Sequence, residues 1–503
     1  MTTQDQFLQD AKMHLTIPVF HSFFTDTLSP IHMFHALKEE ALYMLESQDP
    51  ESPWSNFSFI GLDPMLEIEQ VDQQFFIRDL QQGKTFEAAT LQGAFEEVAS
   101  YLQVKDPPIS VPFRGGAVGY LAYDAISDVE PIDRAIQDNI SISNYHFLFC
   151  QTLIAYEHKT KETTILHFSR LNQGAESITK RYEQAKRRIQ DIQEKLLENS
   201  FIQDVMVSND LVIPEHKNIR SNYSHERFMD DVEKIKEYIR AGDIFQAVLS
   251  QRFETETELE GLQLYRILRK VNPSPYMFYL KFGELEVIGS SPERMMQVQN
   301  RHLEIHPIAG TRKRGHSSEE DDALAEDLIR DEKEQAEHRM LVDLARNDIG
   351  RVAEYGSVAV PEYMMIGKFA KVMHIISKVT GTLREDVHPV EALLASFPAG
   401  TLSGAPKVRA MQILRELEPT PRHLYGGGII YLGFDGAIDS CIAIRTMTLY
   451  KGKVYFQAGA GIVADSDPQL EYEETLNKSL ALKRTIELAE HVFELRREGV
   501  EKQ

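Results

Sequence analysis

The sequence predicts an α+β fold, and three features carry that prediction. Segments 428–434, 438–450 and 453–458 read as consecutive strands, with Asp435-Gly436 and Lys451-Gly452 at the turns between them. That is the pattern of an antiparallel meander. Long helical segments stand apart from these strands, at 177–198, from Ser224 onward and after Asp467-Pro468. Strands in meanders mixed with long helices argue for α+β rather than a doubly wound parallel sheet.

The elements follow in order. Segment 30–46 reads as a helix anchored by Ile31, Phe34, Leu37 and Leu42. Segments 57–62, 75–77 and 145–156 read as strands. Segment 107–123, with Gly115, Gly116 and Gly119, is either a turn-rich connection or a close backbone approach. Segment 177–198 is a charged helix that either links two regions or lies on the surface. The polar stretch 211–222, containing Pro214, divides an N-terminal region, 1–222, from a C-terminal one, 223–503. Ser224 is a good N-cap for a helix carrying Phe228, Val232, Ile235 and Ile239, which Gly242 stops. A strand over 244–253 follows. Asp467-Pro468 opens a closing helix that runs to about residue 495.

Composition narrows the function. Of 503 residues, 54 are Lys or Arg and 77 are Asp or Glu, a net charge of −23. A general nucleic-acid binder needs a basic stripe, and an anionic lipid surface needs the same. The N-terminus is polar, without a basic start and apolar run, and no stretch reaches the length of a membrane span. The two cysteines, Cys150 and Cys441, make no disulfide framework and fit a reducing cytoplasm.

Four groups of residues suggest chemistry. On a helix, Glu334, Glu337 and His338 share one face with Leu341. This is either a solvated acidic face or, given Leu341, Val342 and Leu344, one turned inward. Glu471 and Glu474 repeat the spacing at the start of the closing helix, with Lys478 a turn further on. Dipole complementation and an i, i+4 pair explain them equally well in isolation. If the two acidic pairs face one cleft, they form a hard-oxygen site suited to Mg²⁺ and an anionic substrate. Gly459-Ala460-Gly461 is either a tight turn or a place where backbone amides approach an anion. Arg445, among Ile442, Ile444 and Met447, needs an anionic partner, structural or substrate. Gly310-Thr311-Arg312, Thr401 to Lys407 and His374 are further polar candidates, His374 by default a structural one. The residues alone support metal-assisted chemistry on a small anion.

Longer motifs carry a resemblance. Pro307-Ile308-Ala309-Gly310-Thr311-Arg312, Leu341-Val342-Asp343-Leu344-Ala345-Arg346-Asn347-Asp348, Gly400 to Lys407 and Gln457-Ala458-Gly459-Ala460-Gly461 resemble the chorismate-utilising enzymes. They span about 224–486, and the nearest branch is that of anthranilate synthase large subunits (component I). The resemblance implies large antiparallel sheets packed face to face, helices outside and an active-site cleft between them. It implies conversion of chorismate and ammonia to anthranilate and pyruvate in the cytoplasm. It places Mg²⁺ on Glu337 and Glu474, with Glu471 in the same cluster. Glu334 is implied as the base that removes the C2 proton, and His374 as assisting departure of the C4 hydroxyl. Gly310, Thr311, Tyr431, Arg445, Gly459, Ala460 and Gly461 would contact chorismate, and Thr401 and Lys478 would complete the pocket. Leu45-Glu46-Ser47 and Asn272, Pro275, Tyr276 and Met277 match a tryptophan feedback site.

Two positions separate branches of the family. Ala309 stands where aminodeoxychorismate synthases carry a nucleophilic Lys, and Gln246 where isochorismate synthases carry a water-activating Lys. A synthase that stops at aminodeoxyisochorismate shares nearly all these residues and is the alternative, with a non-catalytic tryptophan-binding subunit as the other. Neither cysteine context exposes a nucleophile, so the ammonia is expected from a separate glutamine amidotransferase subunit (component II), within a heterotetramer.

Overall fold

The computed structural model describes residues 2–47, 56–136, 138–171, 176–198, 202, 204–205, 218–369 and 372–500, with side chains as far as 493. Most of the expected boundary at 211–222 lies outside them. Every pairing between named strands is antiparallel, and the ladder is continuous. From Gln246–Glu256 it runs through Lys453–Ile462, Thr446–Tyr450, Leu285–Ser291, Tyr276–Phe282 and Ala41–Glu46 to the long strand Phe57–Val71. It continues through Tyr145–Glu157, Gly116–Leu121, Gly428–Gly433, Ile438–Ile442, Arg294–Gln299 and His302–Ile305 to Val372–Thr382. Strands from both halves of the chain therefore alternate within one sheet.

The sheet folds into two layers, and side-chain alternation shows it. Along Tyr276–Phe282, Phe278, Leu280 and Phe282 join a core with Val118, Tyr120, Phe168 and Ile429. Met277 and Tyr279, on the opposite face, join a second core with Ile189, Leu268 and Ile486 from helices. A third core covers the outer face of the other layer, combining Phe95 and Val98 with Ile349, Leu393 and Met411. Each inner-layer aromatic that is fully buried contributes about 1.5–3 kcal/mol by leaving water. This is the arrangement of sheets face to face with helices outside.

Two expectations change, and two open alternatives are resolved. The helix expected over 30–46 ends at Ala36, and Ala41–Glu46 is a strand held between Phe57–Val71 and Tyr276–Phe282. Tertiary pairing outweighs a helical spacing that holds for two turns only. The charged segment is the helix Ile178–Glu198, and it is not a linker. It buries Tyr182, Ala185, Ile189, Ile192 and Leu196 against the sheet. The middle strand of the meander is two strands, Ile438–Ile442 and Thr446–Tyr450, with different neighbours. The break falls at Arg445, whose φ is +50°. In segment 107–123 the close approach is real: a Cβ on Gly119 would lie 2.1 Å from the His146 carbonyl oxygen.

Between the layers, Gly289 faces Phe278 across a strand pair, and a Cβ there would lie 2.1 Å from the phenyl ring. Gly289→Ala is expected to lower unfolding stability by about 1–3 kcal/mol, the usual range for overpacking. Adding Phe278→Leu should recover part of the loss, measured by denaturant titration. Two purely additive losses would show that the ring is not the obstacle.

Candidate active site

Two helices supply the acidic groups. Asp331 caps Glu332–Gly350 by accepting from the Lys333 and Glu334 amides at 3.0 and 3.2 Å. His338 is fully buried, its Nε2 2.6 Å from Ser377 Oγ, and burial lowers its pKa to about 4. It is a neutral anchor that fixes the helix's rotation on the sheet. That rotation sets Glu334 over Gly310, where a Cβ would lie 3.1 Å from Oε2. Gly310 has φ +66°, so both backbone and space require glycine. Arg312 Nη1 stands 3.5 Å from the other Glu334 oxygen.

On the closing helix, Pro468–Val500, Asp467 caps the amides of Gln469 and Leu470. Lys478 is the junction of the site. Its ammonium donates to Glu474 Oε1 at 2.6 Å and to the Gly459 carbonyl at 3.0 Å, and its own carbonyl accepts from Arg445 Nη1 at 2.6 Å. The two acidic pairs meet here. Burial raises the Glu337 carboxyl, and Glu334 and Glu474 raise it further, opposed by Lys333 and Lys478. Burial likewise raises Glu471, with Glu474 adding to it and Ser466, Lys333 and Lys478 opposing. Among the described residues no three His, Cys, Asp or Glu side chains are arranged to hold a metal ion, so a cation here would rest on one or two carboxylates, water and substrate. The donors, crowded carboxylates that resist ionising together, suit a hard cation that retains water ligands.

The opposite wall is cationic. Burial lowers the pKa of Arg445, and no carboxylate among the described residues lies within ion-pairing distance of it. Its left-handed backbone, which costs a non-glycine residue roughly 1–2 kcal/mol, turns the chain between two hairpins. Gly459, Ala460 and Gly461 are part of the strand Lys453–Ile462, paired on one edge with Ser250, Leu249 and Val248. The glycines are there because of close packing. A Cβ on Gly459 would meet Tyr425 Oη at 2.8 Å, and one on Gly461 would meet Gln246 Nε2 at 2.7 Å. Tyr425 also feels the charge of Arg445. Tyr431 lies elsewhere: its ring packs in the core between the sheets, 4.7 Å from that of Phe113. Strand alternation turns Tyr431 inward, so Tyr425 is the tyrosine of this wall.

Glu293 was not legible as a site residue. It accepts a hydrogen bond from Thr401 Oγ1 at 2.9 Å and feels the charge of Lys478. Burial pushes its carboxyl up to about 7. It lines a small cavity with His306, Leu341, Asp348, Gly400 and Thr401. An acid beside Arg294 at the head of an apolar strand was the only sequence signal. The loop carrying Thr401 is tied down twice. Lys407 bonds both oxygens of Asp348 at 3.0 and 3.1 Å, and Arg422 donates to the Leu402 and Val248 carbonyls, each at 2.6 Å. His374 Nδ1 lies 2.7 Å from the Gly310 carbonyl and 3.2 Å from Thr311 Oγ1. Donation to the carbonyl leaves Nε2 as an acceptor, and burial lowers the ring's pKa. Ala309 is buried in its strand and pairs with Ile375.

The two segments expected to form a feedback site are brought together as neighbours. Glu46 faces Met277 and Leu45 faces Phe278, with Tyr276 next in line and Ser47 just beyond the strand. Asn272 Nδ2 donates to Ser290 Oγ at 2.8 Å, and Pro275 leads into the second strand. Glu46 is buried against Arg269, at 2.9 Å, and Tyr265, at 2.6 Å. Its carboxylate is therefore occupied within the chain.

The family model for chorismate binding enzyme matches residues 40–484. The chain is 50% identical over 501 residues to anthranilate synthase component 1 of Bacillus subtilis (strain 168), covering 99% of this chain and 97% of that one. It is 51% identical over 493 residues to the Geobacillus stearothermophilus protein of the same name, covering 97% of each. The crystal structure of anthranilate synthase component I from Streptococcus pneumoniae TIGR4 superposes with a TM-score of 0.75 at 36% identity, over 91% of this chain and 98% of that one. MenF, an isochorismate synthase from Escherichia coli, shares the fold with a TM-score of 0.68 at 18% identity, over 96% and 98%.

A carboxyl whose folded-state pKa lies near 7, against about 4.5 when unfolded, favours folding while it is protonated and opposes it once ionised. Glu293→Gln should therefore be more stable than the parent above pH 7, with the difference vanishing as pH falls towards 4.5. Chemical denaturation across pH 5–8.5 measures this. A constant difference at all pH values would show that Glu293 titrates normally.

Proposed function

Because the chain belongs to the chorismate binding enzymes, and within them groups with the anthranilate synthase component 1 proteins, we propose that its cleft converts chorismate and ammonia to anthranilate, pyruvate and water as a Mg²⁺-dependent lyase. The single observation that carries the reading is Arg445, a largely buried guanidinium with no carboxylate within ion-pairing distance among the described residues, linked through Lys478 to the crowded glutamates. That pairing of opposite imbalances suits a dianion and a divalent cation bound together. Glu337 and Glu474, with Glu471 beside them, would hold Mg²⁺, which supplies charge neutralisation for a substrate carboxylate.

The chain's own residues divide the remaining work. Arg445 takes a substrate carboxylate, with Tyr425 and the strand at Gly459–Gly461 forming the wall behind it. Gly310 and Thr311 form the floor beneath Glu334. Ammonia adds at C2 as the C4 hydroxyl departs, and that oxygen must gain a proton. Glu293, titrating near 7 and held by Thr401, is the better donor. His374, whose Nδ1 proton is committed to Gly310, orients the leaving hydroxyl through Nε2. Glu334 then removes the C2 proton, the enolpyruvyl group leaves as pyruvate, and the ring becomes aromatic.

The branch alternatives lose support on particular atoms. Ala309 offers no amine for covalent attack. Gln246 presents a neutral amide against Gly461, where an isochorismate synthase needs a base. Both cysteines are buried in the core between the sheets, where burial raises their thiol pKa well above the ordinary range. The reading therefore assigns ammonia supply to a glutamine amidotransferase partner in a cytoplasmic heterotetramer. Among the described residues no helix is long and apolar enough to cross a membrane. Feedback by tryptophan at the Leu45–Ser47 and Asn272–Met277 segments is part of the same proposal.

Incubation of the chain with chorismate, Mg²⁺ and ammonium should yield fluorescent anthranilate and pyruvate, suppressed by tryptophan. Release of aminodeoxyisochorismate instead would overturn the anthranilate assignment. Glu334→Gln should accumulate that amino intermediate, while Glu293→Gln should lower kcat by about 10²–10⁴ before it forms. Full anthranilate output from the Glu334 variant would remove its assigned role. Glutamine hydrolysis by the lone chain would contradict the need for a partner.

A further inference from the structure

One short connection touches both the cleft and the segment assigned to feedback. Ser290, Ser291, Pro292, Glu293 and Arg294 lead from the strand Leu285–Ser291 into the strand Arg294–Gln299. Glu293 is the carboxyl that Thr401 holds in the cleft, at 2.9 Å. The Ser290 amide donates to the Arg445 carbonyl at 3.1 Å, one residue beyond the ladder pair of Gly289 with Thr446. The connection therefore carries one group of the cleft and fixes the backbone of another.

The side chains of this connection are held from the segment 272–277. Asn272 Nδ2 donates to Ser290 Oγ at 2.8 Å. Arg294 Nε donates to Tyr276 Oη at 2.7 Å, and that hydroxyl donates to Asp439 Oδ1 at 3.0 Å. Arg294 Nη1 donates to Glu304 Oε1 at 2.6 Å, which fixes the far edge of the guanidinium. Glu304 is shared with His306 and Lys378, each 2.7 Å away. Asp439 stands 3.5 Å from Arg294 Nε, so the Tyr276 hydroxyl is the contact that orients the near edge.

Two features make the connection responsive. Both bonds from 272–277 are short, so a shift of that segment by about 1 Å carries both beyond hydrogen-bond range. The strand that follows is not regularly paired: its register against Ile438–Ile442 breaks between Arg294 and Met296. Such irregularities re-aim side chains next to active sites.

We propose that the connection 290–294 transmits feedback from the segment 272–277 to the cleft, with Arg294 and Ser290 as positioning residues for Glu293 and Arg445. While both bonds hold, Glu293 stays on Thr401 and Arg445 keeps its left-handed bend. Tryptophan seated against 272–277 favours the shifted segment, in which the bonds are broken and both groups are misplaced. The proposal rests on the feedback site and on the cleft roles of Glu293 and Arg445 given above.

The test compares the full chain with its Arg294→Lys and Ser290→Ala variants. Lys keeps the charge but cannot bridge Tyr276 and Glu304 in one plane. Ala removes only the hydroxyl that accepts from Asn272, and this smaller change carries the test if Arg294→Lys unfolds more readily than the parent. Activity is followed as chorismate consumption with Mg²⁺ and ammonium, which does not depend on the product released. Tryptophan binding is measured separately by calorimetry. Without tryptophan, Arg294→Lys should lower kcat about tenfold and Ser290→Ala should raise the KM for chorismate about tenfold, because Glu293 serves the reaction and Arg445 the substrate. Both variants should bind tryptophan within about twofold of the parent, yet the factor by which saturating tryptophan inhibits should fall about fivefold or more. A merely structural role would lower stability and leave that factor unchanged. Parent-like inhibition in both variants would overturn the transmission and leave the feedback site standing. Loss of tryptophan affinity in both would place the connection inside the ligand site and overturn it as well. A parent chain that binds no tryptophan would overturn the feedback reading itself, and the transmission with it.

Discussion

Lys478 is the contact on which the rest of the cleft depends. As an exposed i, i+4 partner of Glu474 it would contribute less than about 1 kcal/mol. Its importance is positional. The same ammonium reaches the Gly459 carbonyl, and the same residue's carbonyl receives Arg445. One side chain and its own peptide thus join the closing helix, the glycine strand and the break between two hairpins. Three successive elements are fixed to within hydrogen-bond tolerance, which substrate positioning requires. Glu293 and Glu337 both feel this charge as well.

What could be read from the sequence, and what could not, follows from the range of each interaction. The caps at Ser224 and Asp467, the stop at Gly242 and the hairpin turns are local, and the structure places them as expected. Glu334, Glu337, Glu471 and Glu474 were identifiable by spacing, because a helix face is a local property. Their meeting was not, because it depends on how two helices separated by over a hundred residues dock on one sheet. Tyr431 and Tyr425 show the same limit. Both lie in one glycine-rich run, but strand alternation sends Tyr431 into the inter-sheet core, while the turn before the strand brings Tyr425 against Gly459. Glu293 escaped notice because its signal, a burial-raised pKa, exists only after folding.

Arg445 was misread for a further reason. The apolar residues around it continue the strand pattern without interruption, so periodicity favours one long strand. The structure breaks there with a left-handed residue that is not glycine. Such strain persists only where surrounding contacts impose it. Here the two flanking strands pair with different neighbours, and the carbonyl of Lys478 holds the side chain. The bend gives Arg445 a position that no regular strand residue would have, out of the ladder and facing the acidic helices.

The cleft leaves charge unbalanced on both walls. On one side Glu334 and Glu474 add to the burial that raises the Glu337 carboxyl, and on the other no carboxylate among the described residues lies within ion-pairing distance of Arg445. Hydrophobic replacements at these positions would relieve desolvation and repulsion, so the arrangement lowers the stability of the empty fold. A metal ion bound with a dianion cancels both imbalances at once, whereas either alone leaves one uncorrected. On this argument the two ligands would bind cooperatively, each favouring the other by the repulsion it removes. The net charge of −23 is then no obstacle to an anionic substrate. The field that matters is the local one, set by Arg445, Lys478 and the cation that the glutamates would hold.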